Sequence, residues 1–122
     1  MAFHNDLGNK GEQEAIAHLR KKGYSIIVCN YRYQKFEIDI IARVDDILAI
    51  VEVKSRSSEY YGDPLDSVNR KKEKMIAIAA DHYIEQNCLD VNVRFDLISV
   101  VFRNGKPEVE HIEDAFYPFD NL

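Results

Sequence analysis

The sequence predicts an α/β fold, a mixed β-sheet flanked by helices. Three patterns point to it. Apolar residues recur at helical spacing near the start and again past the middle of the chain. Three strand-like runs follow one another between these helices. Two more follow the second helix. The order α-β-β-β-α-β-β excludes strict alternation of strand and helix and calls for a sheet with both parallel and antiparallel neighbours.

Leu7 to Lys22 reads as the first helix. Asn5 or Asp6 caps it, Ala15, Ile16 and Leu19 give its apolar stripe, Arg20-Lys21-Lys22 its basic last turn, and Gly23 its stop. Tyr24 to Cys29 is a strand. Phe36–Val44 and Ile47–Arg56 are two more, joined at Asp45-Asp46. Ser57 to Asp63 is a polar loop. Pro64 opens a second helix that runs to about Glu85, Val91 to Phe102 is a strand, Asn104 to Pro107 a turn, and Glu108 to Ile112 a short strand.

At 122 residues the chain is one domain, 1–122, with 113–122 as a C-terminal tail. A chain of this length buries roughly 65–70% of its unfolded surface, enough for one core. With 46% hydrophobic and 30% charged residues, five Gly and three Pro, it is neither disordered nor low-complexity. Cys29 and Cys88 form no metal or disulfide framework, which suits a reducing cytoplasm. Residues 1–6 lack a signal-peptide pattern, and every apolar stretch falls far short of the ~20 residues needed to span a bilayer. The expectation is a soluble, cytoplasmic protein with no membrane partner.

The net charge of −5 speaks against a protein that coats polyanions indiscriminately. The acidity is concentrated, however, in the last 20 residues, which carry −3, and leaves room for local basic surfaces: Arg20-Lys21-Lys22, Arg32, Lys35, Lys54, Arg56 and Arg70-Lys71-Lys72. The residues show no glycine-rich nucleotide loop, and the four histidines have no ligand spacing, so no role is given to them.

The chemistry lies in the predicted hairpin. A two-residue loop at Asp45-Asp46 pairs residues whose numbers sum to 91, which sets Asp39 opposite Glu52 and Glu37 opposite Lys54. Opposed carboxylates repel, and a divalent cation between them would turn repulsion into chelation. The bland alternative is an ion pair of Glu37 or Glu52 with Lys54 at the exposed end of an edge strand. Glu12 lies on the apolar stripe of the first helix and points at the same sheet, unless it only serves the helix macrodipole and reaches solvent. Gly8 and Gly11 flank it, either for close backbone approach or as a frayed start. Lys72 falls on the stripe of the second helix with Val68, Ile76, Ala79 and Tyr83, facing a phosphate or the acidic site, or else snorkelling. Tyr61, in the loop after the acidic strand, is placed to stack on a base or to cover the core edge. Arg94-Phe95-Asp96 places an ion pair at a strand start.

Asp39, twelve residues, then Glu52-Val53-Lys54, preceded by Glu12 on a helix, resembles the PD-(D/E)xK nuclease superfamily. Gly11-Glu12, Ala15, Leu19 and Gly23, Asn30 and Arg32, Glu37-Ile38-Asp39, Val51 to Lys54 with Arg56, Tyr61-Gly62, Val68, Lys72, Arg94-Phe95-Asp96 and Asp114-Ala115-Phe116 resemble more narrowly the small bacterial YraN-like family of predicted endonucleases, related to Holliday junction resolvases. The likeness covers residues 8 to 117. Ile38 stands at the superfamily's proline, as is common in YraN-like chains, and Phe36 stands at a usual glycine, where it narrows access to the site.

The resemblance implies a restriction-endonuclease-like αβββαβ core and a Mg²⁺- or Mn²⁺-dependent endonuclease acting on nucleic acid, DNA before RNA, branched or structured DNA included. It implies that Asp39, Glu52 and the Val53 carbonyl hold the metal, and that Glu12 holds a second ion or its water. Lys54 would orient or deprotonate the attacking water and stabilise the phosphorane charge, while Lys72, Arg56, Arg32 and Tyr61 contact nucleic acid. A homodimer is compatible with the chain. Two rivals predict otherwise: a non-catalytic nucleic-acid-binding module of the same fold binds DNA regardless of Mg²⁺, and a structural or interaction domain with a buried Asp/Glu/Lys network binds no metal.

Overall fold

A computed structural model describes residues 6–57 and 69–116. Two helices and five strands follow in the order α1 (Asp6–Lys21), β1 (Ser25–Tyr33), β2 (Phe36–Val44), β3 (Ile47–Ser57), α2 (Arg70–Gln86), β4 (Asn92–Arg103) and β5 (Lys106–Ile112). The strands form one sheet in the order β1-β2-β3-β4-β5. β1, β2 and β3 are antiparallel neighbours, β3 and β4 are parallel with α2 in the crossover, and β5 returns antiparallel to β4. This is the predicted mixed α/β sheet with flanking helices, and it has the αβββαβ order of a restriction-endonuclease-like core.

The helices cover opposite faces. α1 lays Ala15, Ile16 and Leu19 on Ile40, Ala42, Ala49, Val51, Ile98 and Val100. α2 lays Ile76, Ala77, Ala79 and Ala80 on Ile38, Ile41, Leu48, Ile50 and Phe95. β3 therefore reads as a continuous apolar run from Ile47 to Val51, because both of its faces are covered. Its alternation sends Leu48 and Ile50 to α2, and Ala49 and Val51 to α1.

The β2–β3 register is the one the Asp45-Asp46 loop predicts: Ile40 pairs with Val51, and Val44 with Ile47. Asp45 takes a left-handed φ of 53°, which an aspartate tolerates in a tight turn. Three boundaries differ from the sequence expectation by more than one residue. β1 runs on to Tyr33, because a two-residue turn at Gln34-Lys35 lets Tyr31 to Tyr33 pair with Phe36 to Ile38. The β4–β5 turn is Asn104-Gly105 alone, both with positive φ, and Pro107 sits within β5, an edge strand that tolerates a missing N–H. The second helix starts at Arg70 rather than at Pro64. Asn69 is its N-cap, with an extended φ of −127° and a side chain that accepts the Lys72 N–H at 2.9 Å. Pro64 and Val68 lie outside the described residues, as does the loop with Tyr61.

At the end of the described chain, residues 113–116 fold onto the sheet. The Ala115 N–H donates to the Phe95 carbonyl at 2.8 Å, and Phe116 is buried against Phe95. Among the described residues no helix is long and apolar enough to cross a membrane.

Candidate functional site

The β2–β3 ladder runs from the turn as far as Ile40 and Val51 and then gives way to side chains. The Asp39 carboxylate accepts the Val53 N–H at 2.8 Å, and the Glu52 carboxylate accepts the Asp39 N–H at 3.4 Å. The Asp39 side chain thus takes the position that a backbone carbonyl of β2 would hold for Val53 in a continued ladder.

β1 and β2 also change face at this level. Along β2, Ile41 and Ile38 both pack toward α2, an interval of three rather than two; along β1, Val28 and Tyr31 do the same. Asn30 lies between them with φ 55°, a left-handed conformation that asparagine adopts more readily than most residues. The slip breaks the strict alternation assumed from sequence and turns Asp39 toward β3.

Glu52 continues the α2-facing side of β3 and is 4% exposed. Its Oε1 lies 3.6 Å from the Lys72 ammonium, on the first turn of α2. Burial, and then the neighbouring Asp39, push the Glu52 carboxyl up to about 8, against the opposing pull of Lys72. Burial likewise raises Asp39, although the Val53 N–H holds it back.

Glu12 approaches from α1, as its place on the stripe predicts. The Asn30 amide donates to its Oε1 at 3.0 Å, and its carboxyl is raised by burial and by Asp39. The approach is close because of Gly11, where a Cβ would stand 1.6 Å from the Ser55 hydroxyl oxygen. Of the two alternatives for the glycines, Gly11 is the close-approach residue; a Cβ on Gly8 would meet nothing within 4 Å.

Two clefts open here. One, of about 540 Å³, is lined by Glu12, Asn30, Arg32, Glu37, Asp39, Val53, Lys54 and Ser55, with Gly8 and Asn9 of α1. The other, of about 440 Å³, is lined by Lys35, Glu37, Asp39, Glu52, Val53, Lys54, Lys72, Met75 and Ile76. Glu37, Asp39, Val53 and Lys54 line both, whereas Glu12 and Glu52 each line one. Among the described residues no three His, Cys, Asp or Glu side chains form a ready metal cage. The acids that do converge are Asp39 and Glu52, each hydrogen-bonded to a backbone N–H of the other's strand. Their hard oxygens lie in a buried place that raises both carboxyls, and a carboxylate pair of this kind suits Mg²⁺ or Mn²⁺.

The other sequence candidates fall around this centre. Lys54 is exposed in both clefts and makes no ion pair among the described residues; the acids pair instead as Lys72–Glu52 and Arg32–Glu37, the latter at 3.4 Å. Arg32 is exposed at the rim of the larger cleft. Arg56 is buried at 8% exposure and lines neither cleft. Asn30, which from sequence is no more than a mark of resemblance, is brought into the site by its left-handed turn and its bond to Glu12.

A family model described as "Uncharacterised protein family UPF0102" matches residues 11–100, from the glycine before Glu12 into β4. The chain belongs to the UPF0102 family. It is 47% identical to a UPF0102 protein of Christiangramia forsetii over 98% of this chain and 100% of that one. It is 49% identical to one of Flavobacterium psychrophilum over the same shares, and 45% identical to one of Bacteroides thetaiotaomicron over 97% of this chain and 98% of that one. These are the YraN-like chains of the sequence resemblance, and the relatives' names state no activity.

Proposed function

We propose that this UPF0102 chain is a divalent-cation-dependent nuclease that hydrolyses phosphodiester bonds in DNA, branched or structured DNA among its substrates. The reading rests on one observation: Asp39 and Glu52 interrupt the β2–β3 ladder side by side, with Lys54 exposed in the clefts they line. Asp39, Glu52 and the Val53 carbonyl would hold Mg²⁺ or Mn²⁺. Once bound, the ion supplies Lewis-acid polarisation of the phosphodiester and neutralises developing charge.

The chain's own residues do the rest. Lys54 holds and orients the attacking water and donates to the charge that grows on phosphorus-bound oxygen. Glu12, held by Asn30, adds a carboxylate on the α1 side, for a second ion or its water. Arg32 and Lys72 meet phosphates at the rim. Arg56 is buried and lines neither cleft, so it is not placed to meet a phosphate there.

The test is a cleavage panel on branched, flapped and linear DNA with Mg²⁺ or Mn²⁺, with Glu52→Gln as control. Cleavage by the wild type and none by the variant is expected; no cleavage of any substrate with either ion refutes the reading.

The Lys72–Glu52 pair favours a second reading, a structural ion network in a non-catalytic domain. That reading requires that no cation bind and that removal of Lys72 destabilise the fold strongly.

A further inference from the structure

The Glu52 carboxylate is engaged on both oxygens. Oε2 accepts the Asp39 N–H at 3.4 Å, and Oε1 faces the Lys72 ammonium at 3.6 Å. The two partners differ in kind. The N–H belongs to the sheet and stays where the strand holds it. The ammonium ends a four-carbon stem on the first turn of α2, and its side chain is 45% exposed while that of Glu52 is 5% exposed. Such a stem rotates out of contact at small cost. An ammonium and a divalent cation cannot share one carboxylate oxygen without strong repulsion.

We infer that Lys72 is the exchangeable counter-ion of Glu52: it neutralises the carboxylate before a divalent cation is bound, withdraws when one is, and then takes a phosphate of the nucleic acid in the cleft it shares with Lys35 and Lys54. The inference rests on the nuclease reading and adds to it a coupling between ion and substrate.

The cleft supplies the geometry. Lys72, Lys35 and Lys54 line its wall around Glu52 and Asp39, so an ammonium leaving Oε1 stays in the same cleft as the substrate. Asn69 caps α2 by accepting the Lys72 N–H, which anchors the Lys72 backbone while its head moves. Lys72 thereby does two things in turn. It keeps the acidic pair from repelling phosphate when no cation is present. It also makes the phosphate contact depend on the cation, and by reciprocity the cation's affinity rises by the same factor when phosphate is held.

The test uses Ca²⁺ alone as the oxygen-seeking probe, titrated calorimetrically into wild type, Lys72→Met, Lys72→Arg and Asp39→Asn from pH 7 to 9.5, with affinities compared at the high-pH limit. A companion series measures binding of a linear duplex against salt, in Ca²⁺ and in EDTA. Lys72→Met is expected to bind Ca²⁺ roughly tenfold tighter than wild type, Lys72→Arg about as wild type, and Asp39→Asn not at all. In Ca²⁺, Lys72→Met flattens the salt slope by about one phosphate contact, whereas in EDTA its slope matches wild type. Ca²⁺ binding by Lys72→Met no tighter than by wild type, with Asp39→Asn inactive in binding, overturns the exchange and leaves the nuclease reading standing. The same slope difference with and without Ca²⁺ overturns the coupling. Undiminished binding by Asp39→Asn, or no binding by any variant, overturns both.

Discussion

The Asp39 carboxylate accepts the Val53 N–H at 2.8 Å, across the point where the β2–β3 ladder ends. The bond fixes the side chain of one strand to the backbone of the next, so the acid cannot swing to solvent. It follows that Glu52, whose carboxylate takes the Asp39 N–H in return, is buried beside a second negative group. Burial raises the carboxyls of both residues, and at Glu52 the neighbouring Asp39 adds to it.

One consequence is an inverted pH dependence. A carboxyl raised from 4.5 to about 8 on folding binds its proton more tightly in the native state. Its stabilising contribution is complete below pH 4.5 and is lost as pH rises toward 8. Asp39, also raised, acts in the same direction. His18, lowered by burial and by His111, acts oppositely below its usual value of 6.5, which leaves pH 6.5 to 8 as the clean window. In chelator, urea midpoints of the wild type should fall across that window, by up to about 1.4 kcal/mol per pH unit. Glu52→Gln should show a clearly flatter profile; parallel profiles would mean that Glu52 is ionised throughout.

The approach of α1 gives a packing prediction. A Cβ on Gly11 would lie 1.6 Å from the Ser55 Oγ and 2.7 Å from its Cβ, so Gly11→Ala must push the helix or the strand away. A loss of about 1–3 kcal/mol is expected, as for other overpacked sites. In Gly11→Ala/Ser55→Gly the next atom, the Ser55 Cα, stands at 3.6 Å, an ordinary contact. The double variant should therefore regain part of the loss, a coupling readable from a four-protein denaturation cycle. Simple additivity would contradict the geometry.

What could be read in advance follows from locality. The hairpin register needed no more than the Asp45-Asp46 turn and period-two alternation, and it placed Asp39 beside Glu52. Glu12 was legible because a charge on an apolar helical stripe requires a reason. The start of α2 was not: in the sequence Pro64 reads as the start signal, whereas the cap is Asn69, set by its extended backbone and its side chain's bond to the Lys72 N–H. The face change at Asn30 and Asp39 was also hidden, because a left-handed residue inside a strand disturbs no periodicity visible in the letters. His111 had no sequence partner. Its partner, Asp96, lies across the β4–β5 hairpin, where Leu97 pairs with Ile112, and no local spacing encodes that meeting.

That meeting yields a stability prediction. Asp96 is fully buried and accepts from Arg94 at 2.8 Å, from His111 Nε2 at 2.8 Å and from the Asp114 N–H at 3.2 Å. Arg94 also donates to the Tyr24 hydroxyl. Burial alone would raise the Asp96 carboxyl; the His111 and Arg94 hydrogen bonds more than offset it and hold it low. Asp96→Ala removes the nearest carboxylate partner of the Arg94 guanidinium, whose side chain is 13% exposed. It leaves the guanidinium the Tyr24 hydroxyl and a long 3.8 Å pair with the half-exposed Glu113, and should cost about 3–5 kcal/mol by chemical denaturation. The site clefts lie elsewhere, so any Ca²⁺ binding by the folded fraction should persist. A variant as stable as wild type would show the network to be incidental.

Lys54 separates catalysis from binding most directly. It is exposed in both clefts with no ion-pair partner among the described residues, two positions along β3 from Glu52. Its removal leaves no buried charge behind, so Lys54→Ala should unfold at the wild-type midpoint. If its ammonium serves the attacking water and the growing oxyanion, the loss falls on the transition state. A preorganised donor of this kind is worth about 10²–10³ in rate. Single-turnover cleavage should slow by that factor while duplex affinity in Ca²⁺ changes little, because a group that acts in the transition state contributes little to ground-state binding. A loss of affinity matched by an unchanged cleavage rate at saturation would instead make Lys54 a phosphate contact and leave the water to another group.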